Sequence, residues 1–169
     1  TTLNKYQVQA WTTCKEESQN TPYLALGLGD EAGEFAEKVL KNTLPYRQID
    51  ELSDVCWYVA GLCTMNGFLF EDMVRQTRCK ARPVLSNIKH MTQWLQINCS
   101  RVQGICKKEI RDGEFCKEKL EINLISIISQ IDHICNLLGT TLEHVLEINI
   151  KKLFDRKERG VIGGSGDNR

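Results

Sequence analysis

The sequence is poor in proline, with three, and in aromatic residues, at 7% of 169. It has no excess of either charge, because 22 Lys and Arg balance 22 Asp and Glu. Scarce proline and few alternating β-branched runs argue against an all-β fold. Zero net charge excludes a general electrostatic grip on nucleic acid or an anionic lipid surface and leaves only local basic patches. No apolar run approaches the roughly 18–20 residues that a bilayer span needs. The opening stretch TTLNKYQVQAW has no signal-peptide core, so the expectation is a cytoplasmic protein with no membrane or nucleic-acid partner. What is present is 41% hydrophobic and 26% charged residues. That is enough for a buried core in one ordinary domain or two small repeats.

Cysteine is the exception, with eight: Cys14, Cys56, Cys63, Cys79, Cys99, Cys106, Cys116 and Cys135. No two have C-x2-C or C-x4-C spacing, so a zinc knuckle has no support. Cys56 and Cys63 are seven apart, as neighbours on an apolar helical stripe are. The expectation is reduced thiols, most of them buried.

Apolar spacing predicts helices throughout. Residues 1–18 read as a first helix with Tyr6, Val8 and Trp11. Thr21-Pro22 opens a second, whose stripe is Ala25, Leu28, Ala32, Phe35, Ala36 and Val39. It stops near Lys41-Asn42. A third carries Ile49, Leu52, Cys56, Val59, Ala60 and Cys63 and stops at Asn66-Gly67. A short helix over 69–82 ends at Pro83. Another spans about 85–110, and Asp112-Gly113 makes a turn. Leu120, Leu124, Ile127, Ile128, Ile131, Cys135 and Leu138 mark a sixth, ended by Gly139. Thr140 and Glu143 have capping-box spacing for the last. Asn66-Gly67-Phe68-Leu69-Phe70-Glu71 matches Leu138-Gly139-Thr140-Thr141-Leu142-Glu143 at an offset of 72 residues. The expectation is a duplicated four-helix unit: residues 1–83, residues 84–159, and a Gly-rich tail over 160–169.

Four carboxylates carry the functional signal. Glu31 and Glu34 are i, i+3 on the second helix, and Glu51 and Asp54 are i, i+3 on the third. Glu31 adjoins Ala32 and Glu51 adjoins Leu52, so the acids flank the buried seam. Packed antiparallel, the two pairs face each other and repel by on the order of several kcal/mol in a cleft. A hard divalent cation cancels that cost, and an all-oxygen donor set suits Mg2+ or Mn2+. An E-x-x-E on a helix is otherwise an ordinary solvated face.

The stretches LGLGDEAGEFAEKVLKN and IDELSDVCWYVAGL resemble the MazG-type all-α nucleoside triphosphate pyrophosphohydrolases. That family carries E-x-x-E, a spacer, and E-x-x-D; the spacer here is 16 residues. The tail NIKKLFDRKERGVIGGSGDNR resembles the C-terminal end of the same family. The resemblance implies a four-helix-bundle-type fold and Mg2+-dependent hydrolysis of a (d)NTP to a (d)NMP and pyrophosphate, a house-cleaning activity. It implies Glu31, Glu34, Glu51 and Asp54 as metal ligands, Asp30 as general base with Glu34 as the alternative, and Trp11 as the aromatic that stacks on a base. It also implies a homodimer.

Other residues have roles to weigh. Tyr58, one turn beyond Asp54, could touch sugar or base or simply pack. Lys38, one turn beyond Glu34, could meet a phosphate or form a surface pair. The second half lacks the acids: Glu51 maps to Asn123 and Asp54 to Ser126, with Ser100 and Gln103 standing for Glu31 and Glu34. Its last helix instead places Asn149 in the apolar stripe of Leu142, Val145, Leu146 and Leu153, followed by Lys152 and Arg156. The first half has Thr77, Lys80 and Val84 there. The expectation is a division of labour, with metal carboxylates from the first half and Asn149, Lys152 and Arg156 on the triphosphate from the second. A solvated basic helix end is the alternative. The tail over 160–169, with Ser165, Asp167 and Arg169, reads as a lid or a frayed end. Competing functions are a non-catalytic helical nucleotide-binding or regulatory module and a dUTPase-like relative of narrow base specificity.

Overall fold

The computed structural model describes residues 2–80 and 86–164. The protein is all-α, with seven helices and no strand among the described residues. They are α1 (Thr2–Trp11), α2 (Thr21–Leu40), α3 (Pro45–Met65), α4 (Phe70–Arg78), α5 (Ile88–Asp112), α6 (Lys117–Leu137) and α7 (Leu142–Glu158).

Local chemistry sets several of these ends. Asn20 caps α2 by accepting from the Tyr23 amide at 2.8 Å, with Pro22 in the first turn. Asn87 caps α5 in the same way through His90 at 2.8 Å. After α3 and α6 the chain turns through Gly67 and Gly139, at φ 75° and 73°, a region that costs glycine little. The next amide then reaches back to the helix, Phe68 N to Cys63 O at 2.8 Å and Thr140 N to Cys135 O at 2.9 Å.

Three expected boundaries move. α1 stops at Trp11, and Glu16–Ser18 form a separate 3-10 turn. α4 ends at Arg78; Pro83, expected to end it, and Leu85, expected to open α5, lie outside the described residues. Thr141, not Thr140, caps α7, because Thr140 already belongs to the turn that closes α6.

Helix ends keep the 72-residue offset. α2 and α5 end at 40 and 112, α3 and α6 run 45–65 and 117–137, and α4 and α7 begin at 70 and 142. This register places Gln103 and Cys106 opposite Glu31 and Glu34, one turn on from the expected Ser100 and Gln103. α2 pairs with α3, α5 pairs with α6, and α2 packs on α5. The helices that follow the two hairpins cross over: α7 lies on α3 and α4 lies on α6, while α1 touches α3, α4 and α7. One hydrophobic cluster runs through both halves, including Leu28, Phe35, Leu52, Val59, Val102, Leu124, Ile131 and Val145. All eight cysteines are free, and six are buried. Burial pushes the Cys99 and Cys135 thiols up to about 12, so these behave as core residues. No single helix among the described residues is long and apolar enough to cross a membrane.

Candidate active site

The short connection between α2 and α3 folds them into a hairpin and brings the two acidic motifs together. One carboxylate oxygen each from Glu31, Glu51 and Asp54 lies within 4.8 Å of the others. Glu51 is 4% exposed and has the Lys38 ammonium 3.6 Å away. The Glu31 Oε2 atom is buried and has no hydrogen-bond partner. Burial, then the Asp54 charge, then the charge of Glu34 and a hydrogen bond shared with it, and last Asp30, push the Glu31 carboxyl up to about 9. Such crowding of acids against one orphaned buried oxygen is what a cation would relieve.

Asp54 is gripped from the second half. Asn149 Nδ2 donates to its Oδ1 at 3.2 Å, and the Lys152 ammonium lies 2.8 Å from the carboxylate. Lys152 also donates to Asp50 Oδ1 at 3.0 Å. Burial raises the Asp54 carboxyl, partly offset by Lys152. Burial pulls Lys152 down, but Asp54 and Asp50 outweigh it and hold the ammonium above its ordinary value. The crossed-over position of α7 makes these contacts possible.

A cavity of about 430 Å³ opens beside the acids, lined by Asp30, Glu31, Glu34 and Asp54 on one part of its wall. Tyr23, Trp57 and Tyr58 line another part, with Thr13, Lys15 and Ser18 from the α1–α2 connection. Leu153 and Arg156 from α7 and the segment 162–164 complete it. Trp57 is fixed by a 2.9 Å hydrogen bond from Nε1 to Thr13 Oγ1 and stands edge-on to Tyr58, with ring centres 4.8 Å apart. The Tyr58 ring packs against Gly27, where a Cβ would come 2.0 Å from it. Burial, then Tyr23, push the Tyr58 phenol up, so it stays neutral. Arg156 is 8% exposed and makes no hydrogen bond among the described residues. Its charge lowers the neighbouring Asp54 carboxyl, and on the cavity wall its five donors suit phosphate oxygens.

The expected site residues therefore separate. Glu31, Glu51 and Asp54 converge. Glu34 and Asp30 line the cavity but lie outside the three-carboxylate cluster. Tyr58 and Arg156 also line it. Trp11 does not; it packs on the core, and Trp57 is the tryptophan in the wall. Lys38 is paired with Glu51. Asn149, wholly buried, and Lys152 spend their donors on Asp54 and its neighbours, so they hold a carboxylate and do not face the cavity. Trp57 went unread because it sits one residue off the α3 stripe, beside Cys56. Thr13, Lys15 and Ser18 come from a stretch that read as continuous helix. Of the tail, Ile162, Gly163 and Gly164 do border the cavity; Ser165, Asp167 and Arg169 lie outside the described residues.

The second half uses its corresponding positions otherwise. Gln103 donates to Ala25 O at 3.2 Å, tying α5 to α2. Asn123 bonds to the Lys119 carbonyl of its own helix at 2.7 Å. Arg78 joins Asp132 and Glu143 at 3.2 and 2.7 Å.

No protein-family model and no solved structure matches the chain. The Gene 37 protein of Mycobacterium phage L5 is 30% identical over 90 residues, which cover 50% of this chain and 79% of that protein. The chain belongs to the family of that phage protein.

Proposed function

We propose that this protein is a Mg2+-dependent nucleoside triphosphate pyrophosphohydrolase, converting a (d)NTP to a (d)NMP and pyrophosphate. One observation carries the reading. Glu31 and Asp54, which converge with the buried Glu51, line a nucleotide-sized cavity together with the guanidinium of Arg156, and the Glu31 Oε2 atom is buried without a hydrogen-bond partner. Acids and a guanidinium lining one cavity suit a ligand that brings both a metal and an anion.

The donor set is all oxygen and fits Mg2+ or Mn2+. Glu31, Glu51 and Asp54 would hold the metal, which would supply positive charge against the phosphates. Arg156 binds and orients the phosphate chain. Asp30 and Glu34, the cavity acids outside the cluster, are placed to accept a proton from the attacking water. Oxygen from that water bonds to the α-phosphorus, the bond to the bridging oxygen breaks, and pyrophosphate leaves with the electron pair. The Tyr23, Trp57 and Tyr58 wall offers π-faces to the base. Asn149 and Lys152 orient Asp54, so the division of labour becomes one in which the second half positions a metal ligand and supplies Arg156.

We also infer that the two halves descend from one repeated helical unit, supported by the constant 72-residue offset between α2–α4 and α5–α7; among the described residues the second half has no counterpart to α1 and so lacks the expected fourth helix. A cytoplasmic homodimer acting on nucleotide pools is the setting this reading proposes. The test is pyrophosphate release from a panel of ribo- and deoxyribonucleoside triphosphates, with Mg2+ and with chelator. Metal-dependent release from several nucleotides supports the reading. Turnover of dUTP alone favours the dUTPase-like reading, and binding without turnover favours a regulatory module.

A further inference from the structure

Asn149 is wholly buried between α1 and α3. Its Oδ1 accepts from the Tyr6 hydroxyl at 2.8 Å. Its Nδ2 faces Asp54 Oδ1 at 3.2 Å and Ser53 Oγ at 3.5 Å, and the Ser53 hydroxyl donates to the Asp50 carbonyl at 2.6 Å. A primary amide has one accepting end and one donating end, and an ionised carboxylate only accepts. The amide can satisfy Asp54 in one orientation only, and that orientation needs a donor on the far side. Tyr6 is that donor. It is 3% exposed, so its hydroxyl is shielded from water, and its ring also contacts Phe70 with centres 6.3 Å apart. Turned over, the amide would set its oxygen against the carboxylate and leave its donors facing Tyr6.

We propose that Tyr6 is a positioning residue for the metal centre: its hydroxyl fixes the Asn149 amide so that Nδ2 aims the Asp54 carboxylate at the cluster with Glu31 and Glu51. Tyr6 itself lines no part of the cavity. The arrangement repeats the logic by which partners behind a ligating carboxylate set its orientation, where a loss commonly costs about 10–100-fold in metal affinity. This inference rests on the metal reading above.

The test is Mn2+ binding to the full chain without nucleotide, followed by electron paramagnetic resonance, for wild type and the variants Y6F, F70L, N149L and Y6F/N149L. F70L removes packing against Tyr6 but keeps the hydroxyl. The double variant replaces both ends of the buried hydrogen bond, which protects folding if Y6F alone is unstable. Expected results are a loss of about tenfold or more in Y6F and N149L, little change in F70L, and no further loss on adding Y6F to N149L. Wild-type affinity in Y6F, an equal loss in F70L, or losses that add in the double variant overturn the role of Tyr6 while the metal centre stands. A wild-type chain that binds no Mn2+ overturns the metal reading and this inference together.

Discussion

Lys152 on α7 sits 2.8 Å from the Asp54 carboxylate on α3, across 98 residues of sequence. That contact joins the two halves at the acidic cluster. It also means that the second half, which lacks the acids, still determines how one of them points.

Replacing Lys152 by methionine leaves Asp54 partly buried with only Asn149 as donor. The expected cost is about 2 kcal/mol, the range for a hydrogen bond to a charged group. Urea denaturation of K152M against wild type measures it. Nucleotide turnover should fall as well, with the larger part of the loss in the Mg2+ requirement.

Arg156 should behave as a substrate group. R156A is expected to raise KM for nucleoside triphosphate by about tenfold or more, and R156K should recover only part of it, because an ammonium cannot reproduce the guanidinium fork. Initial rates over a substrate series at saturating Mg2+ check this. Equal KM in all three proteins would remove Arg156 from the site.

Glu31 gives a pH dependence of defined sign. Its carboxyl is raised in the folded chain from 4.5 to about 9 by burial and neighbouring acids. Between those values the native state holds a proton that the unfolded chain has released. Its contribution to stability is therefore full below pH 4.5 and is lost as pH rises towards 9. Without metal, E31Q should flatten the decline seen in wild type between pH 5 and 9, as measured by denaturant midpoints. Adding Mg2+ to wild type near pH 7.5 should release protons, since the ligand must be ionised to bind.

The aromatic wall predicts which tryptophan senses nucleotide. Fluorescence quenching by nucleotide should persist in W11F and disappear in W57F, because Trp57 lines the cavity and Trp11 packs on the core. The reverse pattern would restore the expectation drawn from family resemblance.

Much of this arrangement was legible in the residues. The apolar stripes of α2, α3 and α6 depend on helical periodicity alone and reappear in the structure, whereas of the paired acids Glu31, Glu51 and Asp54 converge and Glu34 does not. The polar Asn149 inside an apolar stripe signalled a buried partner, yet its partner could not be read. Asp54 becomes that partner only because α7 crosses to α3, and no local pattern encodes the crossover. The cap of α7 was misplaced by one residue because Thr140 and Thr141 are both hydroxyls; the reach of the Thr140 amide back to Cys135 decides between them. Lys15 and Thr13 were invisible as cavity residues because nothing in the sequence breaks the first helix before the 3-10 turn. Trp57 was hidden by lying beside the stripe, where tertiary packing, not periodicity, decides exposure.

The most direct measurement is hydrolysis of a nucleoside triphosphate in 18O-labelled water with Mg2+, with the products separated by mass spectrometry. The account predicts the label in the nucleoside monophosphate, unlabelled pyrophosphate, and no turnover in chelator or in D54N. Label in inorganic phosphate or pyrophosphate, or undiminished turnover in chelator, would contradict it.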